Sequence, residues 1–406
     1  MAETQRFDIA IIGAGIAGSA LAAALGNEGL RIALVEARSL AMAELPAARD
    51  LQHFDARVSA ITPRSKLLLE KLGAWESITD YRQCPYRHMT VWDAEGTGVI
   101  EFDCNDVNAP ALGHIVENRA IVNALLARVS DCGDITAFDG VQLQDCAHVE
   151  GAPGVRVRLG GGLTLEADLL VAADGAVSPV REMMAFPTRE WDYGHRAIVT
   201  TVQVEHPHQD TCWQRFLTSG PLAFLPLPGE DGRHYCSIVW SLREELVDDL
   251  LALDDRAFCG ALEQAFEGRL GRVLDCAPRF AFPLRQRHAI DYVQPGVALV
   301  GDAAHTIHPL AGQGINLGLQ DVGVLAEEVL AGHARGLNPG QLALLRRYQR
   351  RRKGENLLMM AAMDGFKALF EQQALPLRWL RNAGMRGVGR IGPLKQQLIR
   401  HAMGVG

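Results

Sequence analysis

Glycines at positions 13, 15 and 18 have the type and spacing needed to bind phosphate groups. They follow the apolar run 7–12 and open a stretch in which apolar and small residues recur at helical spacing. Gly13 would permit a tight turn, Gly15 would let the backbone approach a pyrophosphate, and Gly18 would let a helix pack closely on a strand. Ala14 lies within this turn, and the amides at the N-terminus of the helix would face the phosphates.

Glu36 provides the acidic residue that a dinucleotide-binding site requires. Residues 31–36 form a second apolar run that ends in Glu36, at the position where a carboxylate accepts the ribose hydroxyls of a dinucleotide. The glycine spacing alone is a weak signal, but the strand, helix, strand and terminal acid together predict a dinucleotide site. These residues leave NAD and FAD open, and a glycine-rich turn that binds nothing is the alternative.

Two later strand ends favour FAD. Asp174 and Gly175 close the apolar run 168–175, and Gly301 and Asp302 close the run 296–302, so their side chains are expected at the same carboxyl edge of a parallel sheet. Asp302 could hold the ribityl chain of a flavin. The next helix opens with backbone amides that could face the pyrimidine end of the flavin, where reduced flavin is anionic. These amides belong to Ala311, Gly312, Gln313, Gly314, Ile315 and Asn316.

The elements around these motifs predict an α/β fold: a Rossmann-like FAD-binding domain that is discontinuous in sequence, a second domain with a mixed or antiparallel β-sheet that binds substrate, and C-terminal helices. Residues 86–93, 194–204, 222–228 and 234–241 are expected to be strands of the second sheet. Helices are expected from Gly314 to about Leu330 and over 341–371. The predicted FAD-binding domain covers 1–80, 105–182 and 281–332, the substrate domain covers 81–104 and 183–280, and a basic helical region covers 333–406.

Composition narrows the class of protein. Of the 406 residues, 48% are hydrophobic and 22% charged, without a low-complexity tract, which indicates a folded globular chain. No run of about eighteen apolar residues occurs, and the N-terminus lacks the features of a signal peptide, so we expect a cytoplasmic protein. The eight cysteines form no CxxC pair and are expected to be reduced thiols. We expect neither a metal site nor a nucleic-acid partner.

The three motifs together resemble the single-component FAD-dependent aromatic hydroxylases, the group that contains p-hydroxybenzoate hydroxylase. The segment HPLAGQGINLGLQD, from His308 to Asp321, resembles the signature of the ubiquinone-biosynthesis hydroxylases within that group. The resemblance runs over the whole length and is strongest to the hydroxylases that act on 2-octaprenylphenol. The segments that carry it are 57–61, 112–118, 223–227, 236–242 and 397–400.

The resemblance implies a monooxygenase that hydroxylates the aromatic ring of a polyprenylated phenol through a flavin C4a-hydroperoxide. It implies 2-polyprenylphenol as substrate and 2-polyprenyl-6-hydroxyphenol as product. Alternatives are a methoxyphenol or benzoquinol intermediate hydroxylated at another ring position, a flavin-dependent prenyl reductase, and a non-catalytic lipid-binding scaffold. O2 would be the co-substrate. Because only one dinucleotide fingerprint is present, NAD(P)H would dock transiently, or electrons would come from another protein.

The resemblance also implies roles for individual residues. Arg57 and Arg119 would contact FAD and Arg38 would lie along the adenosine, with surface ion pairs as the alternative. Pro309 would present its backbone carbonyl between flavin and substrate, and His308, in the same loop, is a candidate for proton transfer. His305 is expected to pack or hydrogen-bond within its loop. A packing role is expected for His195 and Tyr193, so no base for the substrate hydroxyl is identified.

The charge is unevenly placed along the chain. Residues 331–406 hold 14 Lys and Arg against three acids, a net of +11 in a chain whose total is −8. The basic cluster at 345–355 and the apolar residues 357–370 could rest on anionic lipid at the inner face of the membrane and admit a polyprenyl chain. The alternative is a helix that caps the FAD domain with its apolar face. Association with other ubiquinone-biosynthesis proteins and a homo-oligomer are left open.

Overall fold

The computed structural model describes residues 4–48, 50–307, 313–371 and 392–404. Strands and helices are numbered along the chain. The first sheet contains eight strands: β1 (Thr4–Ile12), β2 (Ile32–Val35), β8 (Ile135–Phe138), β9 (Leu143–His148), β10 (Val155–Leu159), β11 (Thr164–Ala172), β18 (Val293–Gln294) and β19 (Val297–Leu299). Their order is β18-β19-β11-β1-β2-β8, with β10 paired to β11 and β9 to β10.

The core of this sheet is parallel. Strands β8, β2, β1, β11 and β19 run in one direction, so their carboxyl ends share one edge. The four apolar runs predicted as buried strands fall on β1, β2, β11 and β19, which confirms that prediction. All four residues of β2 are buried, as expected for a strand covered on both faces. Helices α1 (Ile16–Leu25), α4 (Asn118–Ser130) and α8 (Gln313–His333) pack together, with α1 in contact with both of the others.

The second sheet has nine strands in the order β20-β17-β12-β15-β14-β13-β5-β6, with β16 paired to β12. Neighbours are antiparallel except β13 and β5, which run parallel, so the mixed sheet expected of the second domain is present. Its strands are β5 (His88–Asp93), β6 (Val99–Asp103), β12 (Thr188–Val204), β13 (Thr211–Leu217), β14 (Gly220–Leu227), β15 (His234–Arg243), β16 (Val273–Cys276), β17 (Phe280–Ala289) and β20 (His305–Thr306).

A three-stranded sheet corrects one sequence prediction. It contains β3 (Val58–Ile61), β4 (Cys84–Tyr86) and β7 (Gly113–Glu117), in the order β3-β7-β4. Residues 86–93 were expected to belong to the second sheet. Residues 88–93 do so as β5, whereas Tyr86 ends β4 and the chain turns at Arg87, which corrects the start of this strand. The amides of Arg87 and His88 both donate to the Asp210 carbonyl, which redirects the chain at a point where residues 86–93 contain no Gly or Pro.

The nine-stranded sheet has two distinct faces. On the outer face, Ile198, Leu222 and Trp240 pack against α6 (Glu244–Ala252) and α7 (Asp255–Ala265). The opposite face, called the inner face below, carries the adjacent cross-strand row Val199, Val239, Ala223, Gln214 and Val91. Helix α9 (Leu342–Glu371) lies over this inner face, where Met363 packs on Val91 and Phe216.

Four further helices complete the described fold. They are α2 (Pro63–Lys71), α3 (Trp75–Tyr81), α5 (Pro179–Met183) and α10 (Gly392–Ala402). Ile399 of α10 and the following Met403 share a hydrophobic cluster with residues of the three-stranded sheet. No helix among the described residues is long and apolar enough to cross a membrane.

Candidate functional site

The three glycines after β1 differ in how much space a side chain would have at each position. Gly13 has φ +98°, and a Cβ there would lie 2.4 Å from the Ala173 carbonyl oxygen. A Cβ on Gly18 would lie 1.8 Å from the Gly13 carbonyl oxygen, so this position fixes how closely α1 packs on the loop. A Cβ on Gly15 would meet nothing within 4 Å. Gly15 therefore faces open space at the helix N-terminus, where a pyrophosphate would approach.

The Glu36 carboxylate stabilises the glycine loop through two hydrogen bonds to backbone amides. Its Oε2 accepts a hydrogen bond of 2.8 Å from the Ala14 amide, and its Oε1 accepts one of 3.0 Å from the Arg38 amide. The acid expected at the ribose thus also fixes the glycine turn from the end of β2. The Arg38 side chain is exposed.

Asp174 and Gly301 lie at the neighbouring strand ends of the same edge. Asp174 Oδ2 accepts from the Val180 amide at 3.1 Å, whereas its buried Oδ1 has no hydrogen-bond partner among the described residues. Burial raises the pKa of the Asp174 carboxyl. Gly301 has φ +58°, and a Cβ there would lie 3.4 Å from the Ala17 side chain and 3.6 Å from the Gly318 Cα. Gly318, which lies in the segment 308–321 but was given no role of its own, lets α8 approach this turn.

Asp302 and Arg57 come from distant parts of the chain and share one site. The Asp302 side chain is open to solvent, yet the protein around it desolvates it enough to raise its pKa. The charges of His305 and Arg57 oppose this shift and favour the carboxylate. Arg57 is exposed, and its guanidinium pairs with no described residue. A carboxylate and a cation are therefore available at the edge of the sheet, beside the open glycine loop.

A buried cluster of Asp321, His305 and Arg352, called the Asp321 cluster below, is hydrogen-bonded to the backbone of the Gly301 turn. The Asp321 carboxylate accepts from the Gly301 amide at 3.1 Å, from His305 Nε2 at 2.5 Å, from Arg352 Nε at 2.8 Å and from Asn356 Nδ2 at 3.2 Å. Asp321, His305 and Arg352 have fully buried side chains. Burial raises the pKa of Asp321, but His305 and Arg352 outweigh it, so the pKa lies below its usual range.

Sequence reasoning missed most of this cluster. His305 was expected to hydrogen-bond within its loop, but it binds Asp321 on α8. Arg352 was counted with the surface charges of the basic cluster, and Asp321 was given no role. The available signal was the spacing of Arg352 and Asn356, which lie four residues apart and so on one face of α9.

The Asn316 side chain links two elements of the fold by hydrogen bonds. Its Oδ1 accepts from the Thr62 amide at 3.0 Å, and its Nδ2 donates to the Ala60 carbonyl at 2.8 Å. These two hydrogen bonds join the end of β3 to the start of α8. Because they engage the Asn316 side chain, we expect its backbone, and not its side chain, to contact the cofactor. Gly314 lies near the acid of the site, since a Cβ there would be 3.9 Å from Asp302 Oδ1, and Ile315 is half-buried.

The guanidinium of Arg119 is engaged elsewhere. Its Nη2 donates to Glu117 Oε2 at 2.8 Å and to the His53 carbonyl, and Arg82 binds the same carboxylate. Arg82 and Glu117 are almost completely buried. Arg119 thus forms the ion pair that the sequence left as the alternative, and its contact with FAD stays a prediction. His308, Pro309, Ala311 and Gly312 lie outside the described residues, and Gln313 is the first residue of α8.

The inner face of the nine-stranded sheet borders the same region. Strand β20, which leads into residues 308–312, pairs with β17, and the next residue, Ile307, packs on Met360 of α9. On the inner face, Val199, Val239 and Ala223 are only half-buried, so they form an apolar wall that the described chain does not fully cover. Among the described residues no group of three or more His, Cys, Asp or Glu could hold a metal ion.

These features fit FAD. The open space over Gly15 suits a pyrophosphate, Asp302 is accessible for a ribityl hydroxyl, and the unpartnered Asp174 Oδ1 can accept a further hydrogen bond.

Comparison with known proteins agrees with this geometry. Residues 6–361 match the family described as FAD binding domain. The chain is 37% identical to the 3-demethoxyubiquinol 3-hydroxylase of Escherichia coli, over 99% of both chains. It is 38% identical to the ubiquinone hydroxylase UbiL of Rhodospirillum rubrum, over 98% of this chain and 89% of that protein. The fold is shared with HpxO of Klebsiella pneumoniae, solved with FAD, at a TM-score of 0.72 and 20% identity, over 99% of each chain.

Proposed function

Because this chain belongs to the FAD-dependent aromatic hydroxylases, in the group of the ubiquinone-biosynthesis hydroxylases, we propose that it hydroxylates the ring of a polyprenylated phenol with O2 and NAD(P)H. The observation that carries the substrate class is the half-buried apolar wall of Val199, Val239 and Ala223 beside the start of the flavin loop. A polyprenylated ring is apolar and needs such a wall, together with exclusion of water.

Bound FAD supplies the activation of O2 and the electrons, and the chain supplies the position of the ring and a dry site. Gly15 and the N-terminus of α1 would hold the pyrophosphate, and Asp302 would hold the ribityl chain. The Asp321 cluster fixes the turn that carries Asp302, since its carboxylate binds the Gly301 amide. The inner face and α9 would place the ring next to Ile307, which packs on Met360.

The proposed conversion is 2-polyprenylphenol to 2-polyprenyl-6-hydroxyphenol. Its support is the similarity of segments such as 112–118 and 236–242 to the hydroxylases that act on 2-octaprenylphenol. A second candidate, hydroxylation of a demethoxyubiquinol at another ring carbon, is favoured by the name of the Escherichia coli relative.

The decisive experiment gives the FAD-loaded protein each of these two substrates in detergent or vesicles. We expect NAD(P)H oxidation, O2 uptake and one hydroxylated product, whose ring position is read by NMR. Product from the demethoxyubiquinol alone would replace the first candidate by the second. A saturated prenyl chain without O2 uptake would indicate a reductase, and no turnover with either substrate would contradict the proposed function.

We further propose that the C-terminal region binds the surface of anionic membranes. The structure reduces the charge available for this, because Arg347 and Arg351 pair with acids of α8 and Arg352 is buried. Arg346 and Arg350 of the basic cluster remain exposed. We therefore expect cosedimentation with anionic but not neutral liposomes, lost at high salt, and weakened in R346E/R350E. The double charge reversal R156E/R158E, at two exposed arginines of β10 in the first sheet, is the control. Absence of binding to anionic liposomes would exclude this proposal.

A further inference from the structure

Three polar side chains from three different elements meet at the edge of the inner face. The Tyr193 hydroxyl of β12 donates to Asp364 Oδ1 of α9 at 2.5 Å and also contacts Gln286 Oε1 of β17. Gln286 Nε2 donates to Asp364 Oδ2 at 3.3 Å. Tyr193 and Asp364 are half-buried, and Gln286 is buried. A phenolic oxygen and a carboxylate are thus held in hydrogen-bond contact on a partly dry face.

The backbone is shaped to place Tyr193 there. The pairing of β12 with β17 shifts between Asp192 and His195, so Tyr193 and Gly194 form a bulge opposite a regular strand. Gly194 has φ +62°, and a Cβ there would meet nothing within 4 Å, so glycine is needed for the conformation and not for space. A bulge re-aims a side chain out of the regular alternation, and bulges are common beside active sites.

The cluster lies next to the start of the flavin loop. Gln286 immediately precedes Arg287, which pairs with Thr306 of β20. On α9, Asp364 stands one turn beyond Met360, which packs on Ile307. Two independent contacts therefore place the cluster beside Thr306 and Ile307, on the side of the apolar wall.

We propose that Tyr193 and Asp364 form a proton relay for the substrate hydroxyl, an inference that rests on the proposed function. The substrate O–H donates its proton to the Tyr193 oxygen while the Tyr193 proton passes to the Asp364 carboxylate. A phenolate and a neutral carboxyl result, with no change of oxidation state. A phenolate ring is more nucleophilic than the phenol and better attacks an electrophilic oxygen. The ring carbon then releases its own proton to water, and the Asp364 proton returns through Tyr193 to the substrate oxygen.

Other titratable groups around the cluster have partners of their own. His195 Nδ1 lies 2.7 Å from the Tyr193 carbonyl oxygen. Burial lowers the pKa of His288 to about 4, so it is neutral at pH 7. Three nearby cations are paired with acids: Arg285 with Asp192, Arg287 with Glu190 and Lys353 with Asp291. Asp364, by contrast, binds the Tyr193 hydroxyl directly.

The first test compares the pH dependence of turnover in Y193F and D364N. Loss of a general base should lower kcat about 1000-fold at pH 7. The loss should shrink about tenfold per pH unit toward pH 10, because a free phenol ionises unaided near that pH. The control D248N removes a solvent-exposed carboxylate that pairs with Arg196 of the same strand, β12, and should leave the profile unchanged. Losses in Y193F and D364N that stay the same at every pH would overturn the relay.

The second test needs no turnover and uses 2-farnesyl-4-nitrophenol, whose phenolate is read by absorbance. The wild-type holoprotein should bind this probe as phenolate at a pH where the free probe is largely neutral, and both variants should bind it neutral. Equal ionisation in wild type and variants would overturn the relay while leaving the proposed function intact. Failure of the wild type to bind the probe would instead count against a prenylated phenol as substrate and, with it, the relay.

Discussion

Replacing Gly15 with valine is expected to weaken FAD binding about 100-fold while the protein remains folded. The backbone there is extended, with φ −70°, and a Cβ meets nothing within 4 Å, so the apoprotein can accommodate the side chain. The same side chain would occupy the space that a pyrophosphate needs. Loss of one or two charge-assisted hydrogen bonds to phosphate corresponds to about a 100-fold weaker Kd. Titration of apoprotein with FAD measures this, with circular dichroism as the check on folding.

Gly18 provides the matched comparison with the opposite result. Alanine at this position would place its Cβ 1.8 Å from the Gly13 carbonyl, so α1 or the loop must move. Overpacking of this kind costs about 1–3 kcal/mol, and we expect a lower Tm in G18A even without FAD. If G15V melted like G18A, or bound FAD normally, the assignment of open space over Gly15 to the pyrophosphate would be wrong.

Replacing Arg352 with methionine is expected to cost about 3–5 kcal/mol of unfolding free energy, because it leaves the buried Asp321 carboxylate without its cation. Arg351, the preceding residue on α9, is the control. Its side chain is 46% exposed and pairs with Glu327 and Glu328, so R351M should cost less than about 1 kcal/mol. Urea unfolding of the two variants measures both values. Equal costs would contradict the role given to the Asp321 cluster.

The same cluster predicts a pH dependence. The pKa of Asp321 is lower in the folded protein than in the unfolded chain, so its stabilising contribution is complete above the unfolded value of about 4 and is lost as pH falls through the folded value. In D321N this acid-dependent part should disappear, and the unfolding free energy should fall less steeply below pH 4 than in the wild type. An unchanged slope in D321N would show that Asp321 does not titrate in this window.

The parts of the molecule that follow from local pattern were predictable. Buried parallel strands appear as continuous apolar runs, and the glycine loop has a fixed spacing after a strand, so β1, β2, β11 and α1 could be read directly. The break between β4 and β5 could not, because it depends on the Asp210 carbonyl, more than a hundred residues away.

The roles of polar residues depended on tertiary contacts. Asn316 meets Thr62 across 254 positions, and Tyr193 meets Asp364 across 171, so neither pairing leaves a spacing in the sequence. Counting charges in the sequence also overestimated how much of the basic cluster is exposed to solvent. Total charge does not say which arginine is buried, and Arg352 is fully covered while its neighbour Arg351 is not.

Helix α9 joins two regions that the sequence order separates. It carries Arg352 into the cluster beneath the Gly301 turn and, three turns later, Asp364 onto the inner face. An engineer who transplants the substrate sheet of a relative into this scaffold would therefore have to move α9 with it. The junction would have to fall before residue 342, so that the transplanted helix brings its own partner for Asp321.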